Sequence, residues 1–200
     1  MLQLMRDNAE ALGISATPMD FANVISATTN MLQSKSVDIN LHTLDRTQDT
    51  AFVAVTLRNK AGHKFPSGYP ARRAFISLLV ENAAGDTIFH SGAYDETFEV
   101  IGHNADYEPH YGVIRREDEV QIYEQVLGDV NGQVTTVLTR ADHTLKDNRI
   151  PPLGFRTDHT VYDTTCISGA ALNDPDFNSQ KRGKVLGRTW CTTIFLLKAT

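Results

Sequence analysis

The sequence predicts a mainly-β protein, an antiparallel β-sandwich with two short helices at its N-terminus. Three observations carry this. After residue 36, apolar and polar residues alternate in roughly seven short runs, the two-residue period of a strand with one face buried. Turn signals such as Asn82-Ala83-Ala84-Gly85-Asp86 and Asn131-Gly132 separate the runs. Before residue 36 the apolar period is helical instead. Many short strands with frequent turns fold as a sandwich, here with the helices packed at one end.

Leu2–Leu12 reads as the first helix and Pro18–Ser34 as the second. Pro18 suits a first-turn position, where its missing N–H costs nothing. Phe21, Val24, Ile25, Thr28, Met31 and Leu32 follow at helical spacing as one apolar packing stripe. Residues 1–35 therefore form a helical segment and residues 36–200 the β-domain.

In the first strand, Val37, Ile39 and Leu41 alternate with Asp38, Asn40 and His42, which predicts half burial. Val53, Val55 and Leu57 repeat the pattern, and Arg58-Asn59-Lys60 ends it. Ala74–Glu81 is more continuously apolar and reads as a strand covered on both faces. A hairpin turn then leads to Thr87–His90. Tyr94–Tyr111 is polar and irregular. Glu119–Gly128 alternates again, and Asn131-Gly132 predicts a type I′ turn, with both central residues at positive φ, before Gln133–Thr139 returns. Leu145–Phe155 is a loop stiffened by Pro151-Pro152, Arg156–Gly187 is loop-like, and the apolar run Thr192–Leu197 is suited to close a sheet.

Two hundred residues suffice for one domain with a real core. A formal net charge of −5 gives no argument for nucleic acid or an anionic membrane. No apolar run approaches the roughly 20 residues of a spanning helix. The N-terminal residues lack the charged-then-apolar layout of an export signal. Cys166 and Cys191 form neither CxxC nor CxxCH, which excludes cysteine-clustered zinc and covalent haem on this chain. They read as two free buried thiols, with a disulfide as the alternative in an oxidising compartment.

The chemistry-bearing residues concentrate in Ala61–Phe75, AGHKFPSGYPARRAF. Gly62, Pro66, Gly68, Tyr69 and Pro70 structure this loop, and Pro109, Asn148 and Pro152 act likewise in two others. His63 and His110 each sit beside proline-fixed backbone. An imidazole held in one orientation suits an axial metal or haem ligand, and equally a histidine that ties its loop together. Arg72 and Arg73 are suited to a carboxylate such as a haem propionate. If strand alternation runs back from Ala74 they face opposite sides, so one alone serves a given site. Asp147 and Asn148 read as a polar turn, without the spacing of a Ca²⁺ loop. HExxH, GxSxG and a phosphate-binding glycine loop are all missing, so the chain reads as a non-enzyme.

Four segments resemble the haem-less C-terminal region of a family of multihaem c-type cytochromes. They are MLQLMRDNAEALGISATPMDF, GHKFPSGYPARRAF, YEPHYGVI followed by QIYEQVLGDVNGQVTTVL, and LKDNRIPPLGF, in the family's order over Met1–Phe155. The resemblance implies a fragment lying downstream of several CxxCH sites, in an exported, periplasmic or extracellular electron-transfer protein. Haem c would be carried by the parent protein, and the partner would be its haem-bearing N-terminal region or subunit. His63 and His110, with Arg72 and Arg73, become candidate haem ligands or haem neighbours in that setting. The domain itself would be non-catalytic, bracing or covering the haems.

The chain departs from the family at its end, where a strand of the type Asp-Val-Val-x-Tyr is expected and Arg188–Phe195 stands instead. A shifted reading frame near Arg188 permits the family's residues, so 181–200 is expected either as native strand or as an out-of-frame tail. Two rivals remain: a stand-alone carbohydrate-binding or adhesive module, which needs an exposed aromatic platform, and an enzyme joining His63 to Arg72 or Arg73 and to Asp95 or Glu108.

Overall fold

The computed structural model describes residues 1–70, 72–104, 106–177, 180–181, 184–185 and 190–198. Helix α1 spans Leu2–Asp7 and α2 spans Pro18–Asn30. The first ends five residues earlier than the sequence predicts. Asn8 Nδ2 donates to the Leu4 carbonyl at 2.8 Å, a side-chain bond that closes the last turn, and α1 buries no residue that would reward extension. The second begins as expected. Thr17 and Asp20 form a reciprocal capping box around Pro18, satisfying N–H groups that the first turn would leave orphaned. A π-turn, Met31–Lys35, continues α2 into the first strand.

Among the described residues thirteen strands follow in chain order. They are β1 (Val37–Arg46), β2 (Thr50–Asn59), β3 (Ala74–Phe75), β4 (Leu78–Glu81), β5 (Thr87–Ser91), β6 (Val113–Ile114), β7 (Ile122–Tyr123), β8 (Gln125–Gly128), β9 (Val134–Thr135), β10 (His143–Asp147), β11 (Gln180–Lys181), β12 (Lys184–Val185) and β13 (Trp190–Lys198). The largest sheet has the order β1-β2-β13-β6. β13 pairs antiparallel with β2 over Trp190–Lys198, and parallel with β6 at Ile194 and Phe195. The remaining sheets, β10-β8-β9, β3-β7, β4-β5 and β11-β12, are small and antiparallel.

The protein is thus mainly strands in several antiparallel sheets with two short helices ahead of them. The core brings Val55 and Leu57 of β2 and Phe195 of β13 against Leu78, Phe89 and Tyr123, with Ile150, Ile167 and Phe177 from the loops. Cys191, Thr193 and Phe195, all fully buried, project from β13. Of the segment 181–200, residues 182–183, 186–189 and 199–200 lie outside the described residues.

Several sequence expectations change on contact with the fold. The α2 stripe packs only in part: Phe21 is buried and Ile25 and Thr28 are half-buried, but Val24, Met31 and Leu32 are exposed. β1 is not half-buried but an exposed edge strand. Ala74–Glu81 splits into β3 and β4 and leaves Leu79 exposed, so it is not covered on both faces. At the Asn131-Gly132 hairpin only Gly132 has positive φ. The Gly132 N–H donates to Asp129 O and the Asp129 N–H to Gln133 O, an ordinary turn closed by a left-handed glycine, not type I′. Leu145–Asp147, expected as loop, instead belongs to β10. Both cysteines are free, and Cys166 is only partly buried.

Candidate functional site

The two proline-bearing loops stitch to each other. Phe65 N–H donates to Ile150 O at 2.9 Å and Ile150 N–H to Phe65 O at 2.8 Å. Asn59, at the end of β2, fixes the entry. Its Nδ2 donates to His63 O at 2.7 Å and Ile150 O at 2.9 Å, while its Oδ1 accepts from Ala61 N at 2.8 Å. Next to His63, Lys64 dives inward. Its ammonium donates to Asp147 Oδ2 at 2.8 Å and Cys166 O at 3.1 Å, and lies over the Phe155 ring. Burial pushes the Lys64 ammonium below the usual lysine range, and Asp147 partly opposes it. Arg149 pairs bidentately with the same carboxylate at 2.9 and 2.7 Å.

Beyond Lys64 the Phe65–Pro66 bond is cis. Gly68 takes φ +93°, a conformation that calls for glycine; a Cβ there would also displace the movable Arg72 guanidinium, 2.9 Å away. The Tyr69 hydroxyl donates to Thr136 O, tying the loop tip to the chain after β9. Pro152 O accepts from Phe155 N–H at 3.2 Å in the facing loop. Gly62 has neither positive φ nor a close neighbour, so nothing in the structure requires glycine there.

His63 is exposed, and its Nδ1 lies 3.0 Å from Lys64 O. A carbonyl only accepts, so Nδ1 carries a proton, and in the neutral ring Nε2 presents its lone pair. No hydrogen bond to Nε2 is found among the described residues. His63 lines a cleft of about 690 Å³ with Thr28, Met31, Leu32, Phe65, Pro66, Arg72 and Arg73. Lys35 also borders it, and no carboxylate does among the described lining residues. Arg72 and Arg73 both reach this cleft. They precede β3, so strand alternation does not divide them. Arg73 is committed to Glu99 at 2.6 Å, whereas among the described residues the Arg72 guanidinium is held by a 3.4 Å bond to Ser67 O. The cleft is cationic, apolar-walled and of ligand size.

His110 is the opposite case. Its ring is 2 % exposed and packs edge-on against Phe177 at 5.0 Å. Gln121 Nε2 and Asn148 Nδ2 both donate to Nδ1 at 3.1 Å. Backbone partners fix each amide, because Gln121 Oε1 accepts from Tyr111 N and Asn148 Oδ1 from Glu124 N. Nδ1 must therefore be bare, and Nε2–H donates to Asp174 Oδ2 at 2.6 Å. Neither nitrogen is open to an incoming metal. Both ring nitrogens of His110 thus tie its loop to the core. Cys191 Sγ joins His110 and Asp174 so that three donor atoms lie within 4.8 Å of one another. A metal on Nε2 would need the proton moved to Nδ1, where two amide donors forbid it, so this trio is a polar knot in the core. Tyr123 Oη and Thr193 Oγ1, also buried, find no partner among the described residues.

The enzyme constellation does not assemble. Glu108 is 2 % exposed, with its oxygens taken by Asn104 N and the Tyr111 hydroxyl, and it borders a separate pocket of about 350 Å³ with Arg73, Glu99 and His103. Asp95 caps its own hairpin through Thr97 and Glu99. That hairpin carries something the sequence did not reveal. Tyr94 and Phe98 stack at 5.8 Å, 50 % and 73 % exposed, with Phe98 at φ +64°.

Among the described residues, no helix is long and apolar enough to cross a membrane. Comparison of the chain with protein-family models, curated proteins and solved structures found no match.

Proposed function

We propose that this chain is a non-catalytic β-domain of an exported multihaem cytochrome c, acting in the periplasm or outside the cell. In this reading its sheets pack as a sandwich, and the His63 cleft braces or covers a haem carried by a partner region or subunit. The observation that carries it is the state of His63: Nδ1–H is fixed on the Lys64 carbonyl and Nε2 is unengaged, in a cleft whose charged lining residues are all cations. That is the second-sphere arrangement of a ligating imidazole. Arg72, the less committed arginine, is placed to take a propionate. Sandwich packing is supported by a core in which β2 and β13 meet residues of β4, β5 and β7.

Adding ferric haem to the protein is expected to shift the Soret band. His63→Ala should abolish the shift, and Arg72→Gln should weaken haem affinity several-fold. An equal shift in His63→Ala would sink the assignment.

A second reading, a carbohydrate-binding module, draws on the exposed Tyr94–Phe98 pair and the left-handed Phe98 backbone, a conformation seldom kept without a reason. Saturation-transfer NMR with soluble oligosaccharides, lost in Phe98→Ala and kept in His63→Ala, would favour it.

A further inference from the structure

We propose that the free edge of β1 pairs with β1 of a second copy of this chain, forming an antiparallel two-fold dimer centred on Asn40. β2 covers one edge of β1, and no strand among the described residues covers the other. Asp38–Arg46 is exposed along its whole length. An uncovered strand this long is a template for pairing, and it is not blunted here by proline or lysine. One face of it is apolar yet exposed, with Ile39 72 % and Leu41 58 % exposed, while the other carries Asp38, Asn40 and His42.

The strand's own sequence identifies the occupant. Its regular part, Val37–Thr43, precedes a bulge between Thr43 and Asp45 and reads VDINLHT. About Asn40 its two halves are complementary, aliphatic Ile39 with Leu41 and the Asp38 carboxylate with the His42 imidazole. Rotation about an axis through Asn40 sets Val37 against Thr43, Asp38 against His42, and Ile39 against Leu41. One face then gains two aliphatic pairs and the other two carboxylate–imidazole pairs. An axis perpendicular to the sheet keeps the faces matched, so Ile39 and Leu41 of both copies lie on the same side. On that side they line a groove of about 390 Å³ with Leu32, Phe65, Phe75 and Leu78. Asp38 already holds Lys60 at 2.8 Å on the surface and would share its carboxylate. An axis at His42 would oppose Asp38 to Arg46, but that pairing runs through the bulge, where the ladder breaks. The contact uses neither His63 nor the arginines and is independent of the haem reading.

Sedimentation equilibrium of the full chain is expected to show a monomer–dimer equilibrium. Ile39→Lys, which alters an exposed side chain and should keep the wild-type circular dichroism, is expected to remain monomeric. In a Cys166→Ser background, Asn40→Cys should cross-link at least about ten times faster than Leu44→Cys under mild oxidation, because only position 40 meets itself within disulfide reach. A wild type that stays monomeric or grows into open-ended oligomers would overturn the proposal, and so would equal cross-linking at the two positions.

Discussion

His110 Nε2–H donates a hydrogen bond to Asp174 Oδ2 at 2.6 Å, across 64 residues of chain. Because Gln121 and Asn148 both donate to Nδ1, the ring is locked in one tautomer and rotation. The knot joins the Pro109 loop, the approach to β7, the loop after β10 and the segment before β13. Asp174 also accepts from Asp176 N–H at 2.7 Å. Asp174→Ala would leave buried donors unpaired and is expected to cost about 2–4 kcal/mol. Urea denaturation checks this.

The buried lysines predict a pH dependence. Burial lowers Lys64 and Lys146 below the ordinary lysine value, and Asp147 and Glu124 only partly offset it. A lysine that holds its proton less tightly in the native state makes stability rise with pH, from that lowered value up to about 10.5. Below the lowered value both states are protonated and the burial penalty is complete. The wild type should therefore gain on a Lys64→Met/Lys146→Met variant as the pH rises toward about 10. Tyr111, Tyr123 and Cys191, each raised chiefly by burial, work in the opposite sense at alkaline pH. They are common to both proteins, so the difference isolates the lysines. A stability difference flat with pH, measured by urea titration, would refute this.

Gly92 takes φ +73°, and a Cβ there would lie 2.2 Å from Ile76 O. Backbone on one side and conformation on the other leave no relaxation. Gly92→Ala should cost about 3 kcal/mol or more, read from the denaturation midpoint, whereas Gly62→Ala should change it by under about 0.5 kcal/mol.

The two thiols should differ in reactivity. Cys191 is fully buried in β13, and burial pushes its thiol well above the usual cysteine value. Cys166 is partly exposed, beside Ser168. Ellman's reagent should titrate one thiol in the native protein and the second only on unfolding.

Local signals were legible where chemistry and neighbours lie within a few residues. Pro18 announced the start of α2, and Asn82–Asp86 its hairpin, because starts and turns are set by residues within a few positions. The density of special residues in Ala61–Phe75 marked the loop that borders the cleft. Long-range partnerships were not legible. Nothing near His110 announces Asp174, and nothing near Lys64 announces Asp147, so His63 and His110 looked equivalent although one is open and the other sealed. The apolar period of α2 and β1 was real, but periodicity says only that a face is apolar, not that this chain covers it. β10 was hidden because His143–Asp147 ends in Lys146 and Asp147, charged residues buried by pairing with Glu124, Lys64 and Arg149.

The contrast between these two histidines is open to direct measurement. Long-range ¹H–¹⁵N correlation of the imidazoles, recorded before and after adding ferric haem, measures it. His63 is expected as the Nδ1–H tautomer and His110 as the Nε2–H tautomer, and haem should erase the signals of His63 while leaving those of His110 in place. Signals of His63 that survive saturating haem, or loss of those of His110 in their stead, would contradict it.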